Sequence, residues 1–113
     1  MIPRYNLWIE RNGEVVLSTW RVELLRAVHQ TGSITSAAEV MDVPYRRAWE
    51  RIHEMEERLG VELLTTEVGG PAGGGAKLTK RGKELVKRFA DFSEGMEIEI
   101  QSRFERAFGE ISL

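Results

Sequence analysis

The sequence predicts a mainly α chain with a small β component, built around one compact core. Three observations predict it. After residue 19, apolar side chains recur at helical spacing in successive segments. These segments begin at a hydroxyl residue or a proline, and the first and third end at glycine. The β-like stretches are short and lie beside Asn-Gly or a glycine-rich run. A chain of 113 residues with 42% hydrophobic and 30% charged side chains has the size and composition of a single domain.

Tyr5 to Ile9 alternates large apolar and polar side chains, and Val15-Val16-Leu17 is apolar and rich in β-branched residues. Asn12-Gly13 between them supplies the positive φ angles of a type I′ turn, so a β-hairpin is expected over about residues 5–17. Ser18 or Thr19 caps a first helix over about residues 19–31, with Val22, Leu24, Leu25 and Val28 inward and Gly32 as its stop. Ser33 caps a short second helix whose buried face is Ile34, Ala37, Ala38 and Met41, the alanines permitting close approach of another helix. Asp42-Val43 makes a turn, and Pro44 is placed at the first position of a third helix. Ala48, Ile52, Met55 and Leu59 fall at i, i+4, i+7 and i+11, one apolar stripe, and Gly60 closes that helix.

Val61 to Thr66 reads as a strand, and Lys77-Leu78 as a short return strand. The glycine-rich stretch between them, residues 69–75, makes the tip of a hairpin. Thr79 caps a final helix carrying Leu85, Phe89, Phe92, Met96, Ile100, Phe104 and Phe108 at spacings of three and four. Such a stripe beyond a compact core needs a partner, and a second copy of the chain is the expected one. Gly95 marks a candidate break in that helix. The domain division is thus residues 1–89 for the compact body and 90–113 for a helical dimerisation segment.

The formal charge is −2, but its distribution is uneven. Residues 77–88 hold six basic side chains (Lys77, Lys80, Arg81, Lys83, Lys87, Arg88) against Glu84 alone, whereas residues 89–113 hold six acids against Arg103 and Arg106. An acidic tail masks a basic body, a pattern that suits a polyanionic partner. There is no cysteine, and His29 and His53 are the only imidazoles, so neither disulfides nor a metal centre is expected. Neither histidine lies near a nucleophile motif, paired carboxylates or a metal-binding spacing, and an enzymatic reading finds little support. Glu54, Glu56 and Glu57 read as a solvated face. No apolar run is long enough to span a bilayer, and the N-terminus leads into no signal peptide, so a cytoplasmic protein is expected.

A support helix, two helices joined by a tight turn and a following β-hairpin give the element order of a winged helix-turn-helix. With the apolar stripe of helix three turned inward, Arg46, Arg47, Glu50, Arg51 and Glu54 project from its other side. Arginine bridges guanine O6 and N7 with two hydrogen bonds, so Arg46, Arg47 and Arg51, with Pro44 and Tyr45 beside them, are the expected groove contacts of a double-stranded DNA binder. Tyr45 and Trp49, one turn apart, are expected to be partly buried. Backbone contacts are expected from Ser33, Thr35 and Ser36, from the wing glycines Gly73, Gly74 and Gly75, and from Lys77, Lys80 and Arg81. The glycine-rich stretch is not a nucleotide loop, since neither Gly-Lys-Ser/Thr nor GxGxxG accompanies it. A protein-interaction module that regulates through a partner protein is the alternative function on the same fold.

Gly32-Ser33-Ile34 with Ala37-Ala38, then Tyr45-Arg46-Arg47-Ala48-Trp49, then the wing glycines leading to Leu78-Thr79 and Gly82, resemble the N-terminal domain of molybdate-dependent ModE-type regulators, itself related to LysR-type DNA-binding domains. The likeness covers about residues 7–89. It implies a dimeric prokaryotic repressor or activator with its recognition helix in the major groove and its long helices pairing two subunits. Pro44 stands where the family usually has serine, and Pro71 where the wing often has lysine. Full-length molybdate sensors of this type carry a separate C-terminal oxyanion-binding region, whereas this chain ends at Leu113 with helix alone. Molybdate sensing by this polypeptide, or any other small-molecule effector or cofactor on it, is therefore not expected.

Overall fold

Asn12 and Gly13, at φ 54° and 78°, turn the chain between β1 (Trp8–Arg11) and β2 (Glu14–Ser18), which pair antiparallel from Arg11 opposite Glu14 to Trp8 opposite Ser18. The register shifts between Ile9 and Glu10, leaving Val16 as an extra residue on β2. This bulge lets the consecutive side chains of Val16 and Leu17 both turn inward, and both are buried. The first strand begins at Trp8 rather than Tyr5, whose ring is exposed. The structure, a computed structural model, describes residues 1–67 and 75–113.

Three helices follow. In α1 (Thr19–Thr31) the Ser18 hydroxyl accepts from the Arg21 amide and Gly32 closes the last turn in the left-handed region. In α2 (Ile34–Val40) Ser33 accepts from the Ser36 amide in the same way. Pro44 lies one position outside α3 (Tyr45–Leu59) rather than inside it. Its ψ of 144° is extended, and its carbonyl accepts from the amides of Arg47 and Ala48, so proline serves here as an N-cap without a side-chain bond. Leu24, Leu25, Val28, Ala37, Ala48, Ile52 and Met55 are fully enclosed, with Leu59 and Met41 packed at the edge.

The second hairpin joins β3 (Leu64–Glu67) antiparallel to β4 (Gly75–Leu78). The expected strand from Val61 is displaced by three residues. The Glu56 carboxylate reaches back and accepts from the Leu63 and Leu64 amides at 2.8 and 3.4 Å, holding the chain in a turn before pairing begins. Two bonds fasten β4 to the end of α1: Ala76 N–H donates to the Gly32 carbonyl at 2.8 Å, and Leu78 N–H to His29 Nδ1 at 3.3 Å.

The C-terminal helical stretch is divided into α4 (Lys80–Ser93) and α5 (Met96–Phe108). Glu94 leaves helical geometry with ψ 129°, and Gly95 adopts φ 82°, a conformation that a residue with a Cβ resists. At the start of α4, Thr79 caps the helix through the Gly82 amide and also donates its hydroxyl to the Glu62 carbonyl at 2.7 Å. Gly82 lies directly against the chain before β3. A methyl group there would collide with the Leu63 carbonyl oxygen and come within 3.2 Å of Leu78 Cδ2. Phe89 is 4% exposed and completes the core of the body. No residue of α5 is buried.

Gly82→Ala is therefore expected to destabilise the protein by about 1–3 kcal/mol, because an overpacked backbone contact has no flexible side chain to yield. A urea denaturation midpoint that does not move would show that the segment before β3 shifts freely.

Candidate nucleic-acid interface

The inward stripe of α3 leaves the other side of that helix to solvent, and its first two turns carry most of the exposed functional groups. The Arg46 side chain is 88% exposed and makes a loose ion pair with Glu50 at 3.2 Å. Arg47 is exposed and makes no ion pair among the described residues. Tyr45 and Trp49 are 51% and 42% exposed, so the expectation of partial burial for this pair is corrected. The buried side of α3 is taken by Ala48, Ile52 and Met55. Trp49 instead stacks on His53, with ring centroids 3.8 Å apart, and His53 Nδ1 is 2.8 Å from the Trp49 carbonyl.

Arg51 differs from Arg46 and Arg47. It is half-buried and reaches Glu54 at 3.4 Å, at the edge of the exposed surface. Glu54 is the hub of a network that no local spacing reveals. One carboxylate oxygen takes Arg21 of α1 at 2.6 Å and Arg58 at 3.0 Å. Arg58 continues to Glu14 at 3.1 Å and to the Val15 carbonyl at 2.8 Å, and Arg11 donates to the carbonyls of Arg58 and Leu59. The first hairpin is thus fastened to the rear of α3. Glu54 and Glu56 are structural bonds, not the solvated face expected of them, while Glu57 is exposed.

Burial pushes the Glu54 carboxyl up, but the Arg21 hydrogen bond and the charges of Arg21, Arg58 and Arg51 outweigh it and hold the group below its ordinary value.

Ser33, Thr35, Tyr45 and Gly75 are brought together. With Thr66 and Glu67 they line a cleft of about 220 Å³ between the starts of α2 and α3 and the base of the second hairpin. The Ser33 hydroxyl is engaged as a cap, Ser36 is half-buried and Thr35 is exposed. Lys77 on β4 and Lys80 and Arg81 in the first turn of α4 are exposed, Arg81 standing 3.7 Å from Glu84. Gly73 and Gly74 lie outside the described residues. Of the stripe assigned to a partner, Phe89 belongs to the chain's own core and Leu85 packs against it, while Phe92 and Phe108 are exposed. Met96, Ile100 and Phe104 are half-buried, and Phe104 stacks on Phe108 at 5.4 Å.

Residues 20–83 match the model of the bacterial regulatory helix-turn-helix proteins of the lysR family. The chain belongs to that family. The chain is 35% identical over 99 residues to the molybdenum-pterin-binding protein MopB of Rhodobacter capsulatus, covering 88% of this chain and 36% of MopB. It is 37% identical over 90 residues to the molybdenum transport protein ModE of Azotobacter vinelandii, covering 80% of this chain and 32% of ModE. The chain thus spans about a third of the length of these curated relatives. Among solved structures, ArgP from Mycobacterium tuberculosis superposes with a TM-score of 0.56 at 26% identity, covering 76% of this chain and 30% of ArgP. The BenM DNA-binding domain in its complex with benA site 1 DNA superposes with a TM-score of 0.61 at 22% identity, covering 80% of this chain and 96% of that domain, a likeness of fold. The lysR-family winged helix-turn-helix is therefore the architecture. Among the described residues, no helix is long and apolar enough to cross a membrane.

The Glu54 network sets a pH dependence. A carboxylate held low in the folded state binds fewer protons than in the unfolded chain, so its stabilisation is present above the unfolded value of about 4.3 and is lost as the pH falls through the lower folded value. Glu54→Gln is expected to lower stability at pH 7 by about 1–3 kcal/mol, by leaving Arg21 short of its partner, and to flatten the decline below pH ~4.5. Parallel wild-type and variant curves of denaturation midpoint against pH would contradict this role.

Proposed function

We propose that the protein binds double-stranded DNA sequence-specifically as a homodimer and regulates transcription in the cytoplasm, without chemistry of its own. The observation that carries this is the presentation of Arg46 and Arg47, free of structural duty, at the start of a helix whose opposite face is wholly buried. Guanidinium groups at that end of a helix reach base edges in the major groove. Arg51 stands at the edge of this surface, and Pro44 sets where the helix starts. Ser33, Thr35, Ser36, Gly75, Lys77, Lys80 and Arg81 are assigned to the sugar-phosphate walls on either side. A relative supports the class: ModE of Escherichia coli (strain K12), 35% identical over 69 residues, is a DNA-binding transcriptional dual regulator.

The homodimer is supported by α5, on which Phe108 and Ile98 are exposed, uncovered by any of the described residues. Two copies joined through Phe92, Met96, Ile100, Phe104 and Phe108 would place two recognition helices on one duplex. The same exposed face supports a second reading, a module that acts by binding another protein. The two differ in salt response: phosphate contacts release counterions and weaken steeply with salt, whereas an apolar interface is nearly indifferent.

On a duplex carrying the preferred site, Arg46→Ala is expected to cost about 1–3 kcal/mol and to relax one base position, whereas Lys80→Ala should weaken every duplex alike and lower the salt slope by about one unit. Equal losses from both variants on all sequences would refute the division of labour. Sedimentation of the wild type as a dimer, with Phe104→Asp shifted toward monomer, tests the assembly; a monomeric wild type would remove it.

A further inference from the structure

We infer that Tyr45 and Trp49 form an apolar platform that reads the C5-methyl group of thymine beside the base contacted by Arg46. The inference rests on the DNA-binding reading above and deepens it. Both rings are on the recognition helix, one turn apart, and both are exposed although the chain has a closed core available to it. With Arg46 they line a shallow hollow of about 340 Å³ whose accessible lining is carbon. An apolar hollow on a helix this polar is the unusual feature, since most surface apolar groups are scattered singly.

The platform is held in place before any partner arrives. The Trp49 indole is stacked on the His53 imidazole at an interplanar angle of 22°, and His53 is fixed in turn through Nδ1 and the Trp49 carbonyl. The opposite flank of α3 is anchored through Arg51 and Glu54, so the helix does not rotate to bury the rings. The occupant follows from the neighbour. Arg46 presents a planar cationic donor set suited to guanine N7 and O6, which places the hollow against the floor of the major groove. The thymine methyl is the apolar group that unmodified base pairs display there.

Replacing thymine by deoxyuridine deletes that methyl and keeps every hydrogen-bonding group, so the unaltered protein can be tested. Each thymine of the preferred half-site is replaced singly, and binding is measured by fluorescence anisotropy. One or two thymines adjoining the position relaxed in Arg46→Ala are expected to lose about fourfold in affinity, the value of one buried methyl. Trp49→Ala, checked for helix content by circular dichroism, is expected to bind the thymine and uracil duplexes equally; Tyr45→Ala gives a second variant should Trp49→Ala fail to fold. Specific binding with no thymine sensitive beyond about twofold, or a uracil penalty undiminished in the variants, overturns the platform alone. The same affinity for every duplex, whatever its sequence, overturns the DNA-reading function beneath it.

Discussion

Ala48, Ile52 and Met55 are fully buried among α1, α2 and the first hairpin, and that burial sets the rotation of α3 about its axis. Successive residues on a helix are about 100° apart, so a slip of a single residue would carry Arg46 from the outer surface to the flank and swing a neighbour into the core. Every other feature of the surface inherits this constraint. Glu54 can reach Arg21 of α1, and the Arg46–Glu50 and Trp49–His53 pairs, already neighbours one turn apart on α3, are turned to solvent, because the stripe admits one rotation only. Ala37 and Ala38 of α2 and Ala48 of α3 are all buried in this core, and side chains this small let neighbouring helices approach closely.

The charges fall into two populations with different physical roles. Arg21, Arg58 and Glu54 are largely withdrawn from water and exchange hydrogen bonds with one another and with backbone carbonyls, which offsets the desolvation of bringing them together. They join α1, α3 and the first hairpin into one rigid support. Arg46, Arg47, Lys77 and Lys80 remain in solvent, where loose surface pairs stabilise little and leave the side chains available. The first hairpin thus belongs to the support of the recognition helix, while the second, bonded through Ala76 and Leu78 to the end of α1, flanks the candidate interface.

The helices were legible because their signals are local. Ser18, Ser33 and Thr79 as caps, Gly32 and Gly60 as stops, and the α3 stripe each declare themselves within a turn or two of sequence. The Asn12-Gly13 turn was legible for the same reason. What escaped was long-range. Arg21 and Glu54 are 33 positions apart, and nothing near either residue forecasts the other. The displaced start of β3 depends on Glu56 reaching Leu63, and the exposure of Tyr45 and Trp49 on a core that other side chains had already filled. For the interface, residue types were legible and duty was not: Arg46 and Arg51 look alike in sequence, yet Arg46 stands in solvent beside Glu50 and Arg51 is half-buried against Glu54. Phe89 likewise continues the spacing of the exposed phenylalanines but lies in the core, because α4 packs on the body up to that point and α5 does not.

In the proposed homodimer, paired through the exposed face of α5, DNA is read twice with two-fold symmetry. Half-sites recognised by such a dimer lie about one helical turn, roughly 34 Å, apart or at a multiple of it. Selection of bound duplexes from a random library by the purified protein at near-physiological salt, followed by sequencing, tests this most directly. Enrichment of an inverted repeat with guanine in each half-site is the expected result. A pool that stays unenriched while the protein remains folded would contradict sequence reading by α3.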